Sequence, residues 1–281
     1  MSFEQLTPRV ISVSSGKGGV GKTFFSIHLA QRAVSQGMKA LVLDADLGLA
    51  NVDVMLGLNI KGSVKKVLDG TADLSEMVVK TKYGFDVLPG GSGLYELTNL
   101  NGEQQQVMLD AVREAAKGYD LVLIDNAAGI GDNVLYFVSA AESSLIVLTP
   151  DPTSLTDAYA LIKVLSQQRN VRRFMVAVNQ ADEFDGQLTF RRLMSVTDRY
   201  LDIHMDYVGH MSSTPQVREA IRQQSLLNPA TAPVAAQEFY KLLENVLSMP
   251  RDTSRSSGLQ FFWEHSLNQG LSPESAMQAR G

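Results

Sequence analysis

The chain contains no cysteine, and that single absence excludes disulfides, thiolate zinc sites and iron–sulfur ligation together. Histidine is scarce as well. His28, His204, His210 and His265 have no mutual spacing that suggests a metal site, and read as surface or packing residues. No run approaches the roughly 18 uninterrupted apolar residues that a membrane span needs. Residues 1–9 lack a positive segment followed by an apolar one, so no signal peptide is expected and the expected compartment is the cytoplasm. Positive charge is also short: 25 Lys and Arg stand against 30 Asp and Glu, a formal charge of −5. A chain so balanced is poorly suited to wrapping DNA unless its basic residues cluster. The near-clusters at Arg169, Arg172 and Arg173 and at Arg191 and Arg192 are followed closely by acidic residues, and read as solvated helix ends.

What is present is the composition of a globular α/β chain. Of the 281 residues, 44% are hydrophobic and 20% charged, within the range of one domain. Apolar strands alternate with amphipathic helices. Strands are expected at Arg9–Ser14, Lys39–Asp44, Phe85–Leu88, Tyr119–Asp125, Ser144–Thr149, Phe174–Asn179 and Tyr207–His210. Helices are expected at Thr23–Gln36, Asn51–Leu58, Val64–Leu68, Gly102–Lys117, Asp132–Ala141, Ser154–Gln168, Phe184–Tyr200, Thr214–Gln223 and Ala232–Leu247. Strands that are apolar throughout are buried on both faces, which implies a mostly parallel sheet in a doubly wound α/β fold. After Met249 the composition changes. The expected organisation is an α/β domain over 1–249, a polar linker over 250–258, an amphipathic helix over 259–268 and a disordered tail over 269–281.

The chemistry begins at Gly16-Lys17-Gly18-Gly19-Val20-Gly21-Lys22-Thr23, which matches G-x-x-x-x-G-K-[S/T] between a strand and a helix. Glycines let backbone N–H groups converge on phosphate oxygens, and the helix N-terminus favours negative charge. Lys22 is expected at the β- and γ-phosphates, and the Thr23 hydroxyl on Mg²⁺. Asp44 and Asp46 end the second strand, the sheet edge where such folds bind ligands. Their spacing of two puts both on one face if the strand continues. Lys17 is not required by an ordinary phosphate loop.

Residues 17–23, Lys-Gly-Gly-Val-Gly-Lys-Thr, resemble the deviant Walker A motif of the MinD/ParA ATPases. The resemblance implies a P-loop NTPase fold that uses ATP and Mg²⁺ and sandwiches two nucleotides in a homodimer, with Lys17 reaching the partner's nucleotide. It assigns Asp46 to positioning the attacking water, Asp44 to the Mg²⁺ shell, and Asp125 to the Walker B position. Gly129 resembles the second switch, where a backbone N–H meets the γ-phosphate. Asn179 resembles the asparagine that reads adenine, and Met211 lies in the loop that borders the base. One departure is Asn126, where MinD-like switches carry Ser or Thr. Its amide is expected to alter the metal shell and slow hydrolysis.

Within the family, Leu43–Gly57, Asp125–Asp132, Pro152–Lys163 and Val196–Asp202 resemble the flagellar-number regulators FlhG and FleN. That branch implies a switch ATPase controlling the number and polar placement of flagella. Its partners would be a flagellar transcriptional activator, an FlhF-type GTPase or switch-complex proteins. Residues 1–8 lack the Asp-Gln-Ala-type segment of many FlhG proteins. Leu259, Phe262, Trp263 and Leu267 fall on one helical face and resemble the branch's membrane-binding helix, which implies peripheral contact with the inner membrane or the cell pole. Docking of this helix on its own domain is the other reading. Three alternatives stand beside the regulator: a weakly hydrolysing nucleotide-binding scaffold, a paralogue serving pili or chemoreceptors, and a ParA-like partition ATPase. Charge disfavours the last, and direct DNA binding is not expected.

Overall fold

The computed structural model describes residues 8–46, 51–57, 69–90, 111 and 114–251. The helix expected at 64–68, most of that at 102–117, and the C-terminal segments with Leu259, Phe262, Trp263 and Leu267 lie outside the described residues.

The strands are β1 (Arg9–Ser15), β2 (Ala40–Ala45), β3 (Val79–Lys80), β4 (Asp86–Leu88), β5 (Leu121–Ala128), β6 (Ser143–Leu148), β7 (Arg173–Asn179) and β8 (His204–Met211). They form an eight-stranded sheet in the order β3-β4-β2-β5-β1-β6-β7-β8. Among the described strands only β3 runs antiparallel, paired with β4 at the edge. This short edge strand and the 3₁₀ turn at Leu74–Met77 had no counterpart in the sequence pattern. The described helices are α1 (Lys22–Ser35), α2 (Asn51–Leu56), α3 (Asp132–Ala140), α4 (Pro152–Gln168), α5 (Glu183–Tyr200), α6 (Pro215–Arg222) and α7 (Pro233–Ser248).

Alternation along each strand divides the core into two layers. Ile11, Val13, Leu121, Leu123, Leu145 and Val147 meet α1 and α7, including Phe25, Ile27 and Phe239. The alternate residues meet the other helices. Val122 and Ile124 pack with Phe137 of α3, and Ile146, Leu148 and Val176 with Leu161, Ile162 and Leu165 of α4. Fully burying one such side chain stabilises by about 1.5–3 kcal/mol, so the helices are held mainly by these faces. Capping fixes where several helices start. Asp151 accepts the N–H of Thr153, Asp182 that of Asp185 and Thr214 that of Val217, with proline opening α4 and α6.

The ends of the central strands set the site. β1 lies between β5 and β6, so the loops leaving β1 and β5 open side by side at the carboxyl edge of the sheet. At the opposite edge, Arg9 opens β1 and its guanidinium donates to the carbonyls of Leu247 (2.5 Å) and Met249 (2.9 Å), closing the last turn of α7. Arg251 pairs with Glu142 beside it at 3.1 Å.

Candidate functional site

The phosphate loop bends from β1 into α1 with two glycines in left-handed backbone, Gly19 at φ 77° and Gly21 at φ 100°. Gly16 is needed for a different reason. A Cβ there would lie 2.1 Å from the backbone carbonyl of Asp157, so the loop can rest on α4 only without a side chain. The loop opens onto a cleft of about 640 Å³, lined by Gly18, Gly19, Gly21, Lys22, Thr23 and Asp46 on the phosphate side.

Lys22 is buried, and its ammonium donates to Ser15 Oγ at 3.0 Å. Burial lowers its pKa, opposed by the charges of Asp125 and Asp46. Asp125 and Asp44 stand directly opposite each other in the β2–β5 register, both fully buried. Burial raises Asp125 to about 6, against the pull of Thr23, Lys22 and Ser26. Burial and the Asp125 charge raise Asp44 to about 7. Ser26 donates to Asp125 Oδ1 at 3.1 Å, while Asp125 Oδ2 is buried with no hydrogen-bond partner among the described residues.

An orphaned carboxylate oxygen beside a threonine hydroxyl and a second buried carboxylate fits a small hard cation. Among the described residues no group of three or more His, Cys, Asp or Glu could hold a metal. Mg²⁺ is such a cation, bound through one or two carboxylates plus substrate phosphates. Asp44 has a further role that its sequence position did not reveal. Its two oxygens accept the backbone N–H groups of Asp46 (3.1 Å) and Val52 (3.2 Å), so it fixes both Asp46 and the start of α2.

The remaining expected residues separate into three groups. Gly129 adopts φ 95°, and its N–H donates to the carbonyl of Ser15, tying the loop after β5 to the end of β1. Asn179 lines the cleft, but its amide donates to the carbonyl of Val20 at 2.7 Å and its oxygen accepts the N–H of Gln180 at 2.9 Å. It braces the phosphate loop rather than presenting a free edge. Met211 does not reach the cleft; it is fully buried in the core layer beneath α1 and α7, because it ends β8 facing inward.

Asn126 faces away from Asp125. Strand alternation sends its side chain to the face opposite Asp125, where the amide donates to Ser14 Oγ at 2.9 Å in the β1–β5 seam. Lys17 points away from its own cleft. Its ammonium donates to Asp151 Oδ2 at 3.0 Å and to Thr153 Oγ1 at 2.6 Å, at the start of α4. The two charged side chains are 42% and 43% exposed, and the pairing holds Asp151 down at about 2. Ser15, Ser26, Asp151 and the cleft residues Gln180, Ile221 and Gln224 were not anticipated from the sequence.

A glycine-rich loop between strand and helix, a buried lysine at its end, and two carboxylates on the neighbouring strands define a P-loop nucleotide-binding protein. Residues 8–176 match the family described as AAA domain (AAA_31), and the chain belongs to this family, among the P-loop ATPases of the MinD/ParA type. It is 38% identical over 258 residues to the antiactivator FleN of Pseudomonas aeruginosa, covering 91% of this chain and 92% of FleN. It is 32% identical over 220 residues to the flagellum site-determining protein YlxH of Helicobacter pylori, covering 78% of this chain and 74% of YlxH. Among solved structures, the septum site-determining protein MinD of Pyrococcus horikoshii, complexed with Mg-ADP, shares the fold with a TM-score of 0.66. That match is 24% identical and covers 86% of this chain and 96% of MinD.

Proposed function

We propose that this chain is an ATP-switched dimeric ATPase that regulates the number and polar placement of flagella, hydrolysis returning the dimer to monomers. The observation that carries the switch is the position of Lys17. Its amine is held outside the cleft formed by its own loop, where it is free to serve a second nucleotide once released from Asp151. The names of the relatives, an antiactivator and a flagellum site-determining protein, support the flagellar role.

In this reading the loop N–H groups and Lys22 hold the β- and γ-phosphates, and Ser15 keeps the ammonium aimed at them. Asp46, its backbone fixed by Asp44, orients the attacking water. Gly129 turns its N–H from the Ser15 carbonyl to the γ-phosphate when nucleotide binds. Thr23 and Asp125 would hold Mg²⁺, with Asp44 behind them, and the ion would neutralise charge on the phosphates. Partners are a flagellar transcriptional activator, an FlhF-type GTPase or switch-complex proteins. The segment 259–267 supplies peripheral contact at the inner membrane or pole. Among the described residues no helix is long and apolar enough to cross a membrane.

Light scattering after size exclusion tests the switch. Wild type and Asp46→Ala should dimerise with Mg-ATP but not with Mg-ADP, and Lys17→Ala should remain monomeric in both. Dimerisation of Lys17→Ala equal to wild type overturns the trans role. Flagella counted per cell in a deletion strain test the output; unchanged number and placement overturn it.

A further inference from the structure

Ser26 interrupts an apolar stretch of α1, Phe24-Phe25-Ser26-Ile27, and is fully buried there. Serine inside a helix competes with the backbone for hydrogen bonds, so helix propensity does not explain its place. Once buried, its hydroxyl needs a partner. Two oxygens lie within reach, the carbonyl of Lys22 one turn back and Asp125 Oδ1, each at 3.1 Å. A hydroxyl has one hydrogen to give. The carbonyl is the ordinary acceptor of the helical N–H four residues on, whereas a carboxylate oxygen makes a stronger, charge-assisted bond. Ser26 therefore gives its hydrogen to Asp125.

That bond divides the roles of the two buried carboxylates. Asp44 and Asp125 stand opposite each other and together present four oxygens. Asp44 commits both of its oxygens to backbone, the N–H groups of Asp46 and Val52. Ser26 occupies Asp125 Oδ1. Among the described residues, Asp125 Oδ2 alone of the four has no hydrogen-bond partner. Helical spacing makes the arrangement possible. Ser26 follows Lys22 by four residues and Thr23 by three, so the three share one face of α1, and Asp125 interacts with all of them. Without the Ser26 hydroxyl, the carboxylate could rotate and exchange its two oxygens.

We infer that Ser26 is a positioning residue for metal-dependent nucleotide binding: it pins one oxygen of Asp125 and so leaves the other available to the Mg²⁺ shell. The inference rests on the phosphate-loop reading above and adds a residue one turn beneath the loop. Ser26 acts through Asp125 alone. Partners of this kind, which orient a ligand without touching the ion, change metal affinity on the order of 10–100-fold when removed. A side chain needed only for close packing of α1 on β5 would be served equally by alanine, which differs from serine by the hydroxyl.

The test is equilibrium binding of ADP by the full-length protein, in EDTA and in Mg²⁺, for wild type, Ser26→Ala, Asp125→Asn and the double variant. The ratio of the two affinities is the gain from the ion. Ser26→Ala should cut that gain about tenfold, the low end for a lost partner of a metal ligand, and change the EDTA affinity by less than about twofold. Added to Asp125→Asn, it should remove nothing further. Melting of the nucleotide-free proteins at pH 8 supplies a metal-free readout. Ser26→Ala should melt a few degrees below wild type, and the difference should shrink by about half or more with asparagine at 125, a neutral acceptor. Equal losses with and without Mg²⁺ would make Ser26 a support of the phosphate loop, and an unchanged gain would make it packing; either overturns the inference. So does a melting difference that asparagine at 125 leaves unaltered. Wild type that binds ADP without any gain from Mg²⁺ overturns the metal role of Asp125 together with the inference. Wild type that binds no ADP overturns the phosphate-loop reading itself.

Discussion

Replacing His28 with phenylalanine isolates a bond that joins α1 to the loop before α7. Leu227 N–H can only donate, so Nε2 of His28 must be bare, and Nδ1 carries the hydrogen donated to the carbonyl of Phe24 at 2.7 Å. Burial lowers the imidazole to about 3 from its ordinary 6.5. Phenylalanine keeps the ring contacts, stacked on Phe239 at 4.8 Å and beside Phe24 at 4.0 Å. It leaves the Leu227 N–H buried without an acceptor, which costs about 1–3 kcal/mol. The pH dependence has the opposite sign. The folded state refuses a proton that the unfolded chain accepts below pH 6.5, so stability present above 6.5 is lost as pH falls. At pH 5 that loss is about 2 kcal/mol in wild type and zero in His28→Phe. Denaturant unfolding of the nucleotide-free proteins should therefore show the variant less stable by about 1–3 kcal/mol at pH 7.5. The gap should close or reverse at pH 5. Asp44 and Asp125 titrate in both proteins and cancel in the difference. A gap that does not change with pH, or a variant as stable as wild type at pH 7.5, would refute the reasoning.

Three other substitutions follow from the site. Asp125→Asn removes a buried carboxyl raised to about 6 from 3.8, whose ionised form destabilises the fold as pH rises through that window. Thermal unfolding at pH 8 should show the nucleotide-free variant stabilised by up to about 3 kcal/mol, with Mg²⁺-dependent ATP binding lost in calorimetry. Asp151→Asn weakens the hold on Lys17, so titration by light scattering should show ATP-dependent dimers at lower protein concentration. Asn126→Thr loses the bond to Ser14 in the β1–β5 seam; melting temperature should fall by a few degrees while steady-state turnover stays within about twofold of wild type.

The order of elements and the phosphate loop were legible because both rest on local signals. Apolar runs without polar alternation mark strands covered on both faces, and the glycine spacing of the loop is its own mechanism. The direction of the Asn126 side chain was legible too, since period two from Asp125 places it on the opposite face. The expectation followed the motif and neglected the pleat. The placement of Met211 was hidden for a related reason: the strand it ends extends to residue 211 and turns the side chain into the core. The partner of Lys17 lies 134 residues away, and no local pattern connects the two. Gln180 and Gln224 were hidden more deeply. Glutamine carries no signature of left-handed backbone, and only φ in the folded chain distinguishes these two from any surface glutamine.

The bond from Arg9 to the end of α7 has a mechanical consequence. Arg9 and Ser15 are the two ends of one strand, about 20 Å apart at the usual rise per residue. One end grips the carbonyls from which residues 252–281 continue; the other runs straight into the phosphate loop. β1 is thus a stiff rod between the root of the C-terminal segment and the triphosphate cradle. A load on that segment, from a bilayer or a bound protein, would arrive along the axis of the rod that ends at the nucleotide.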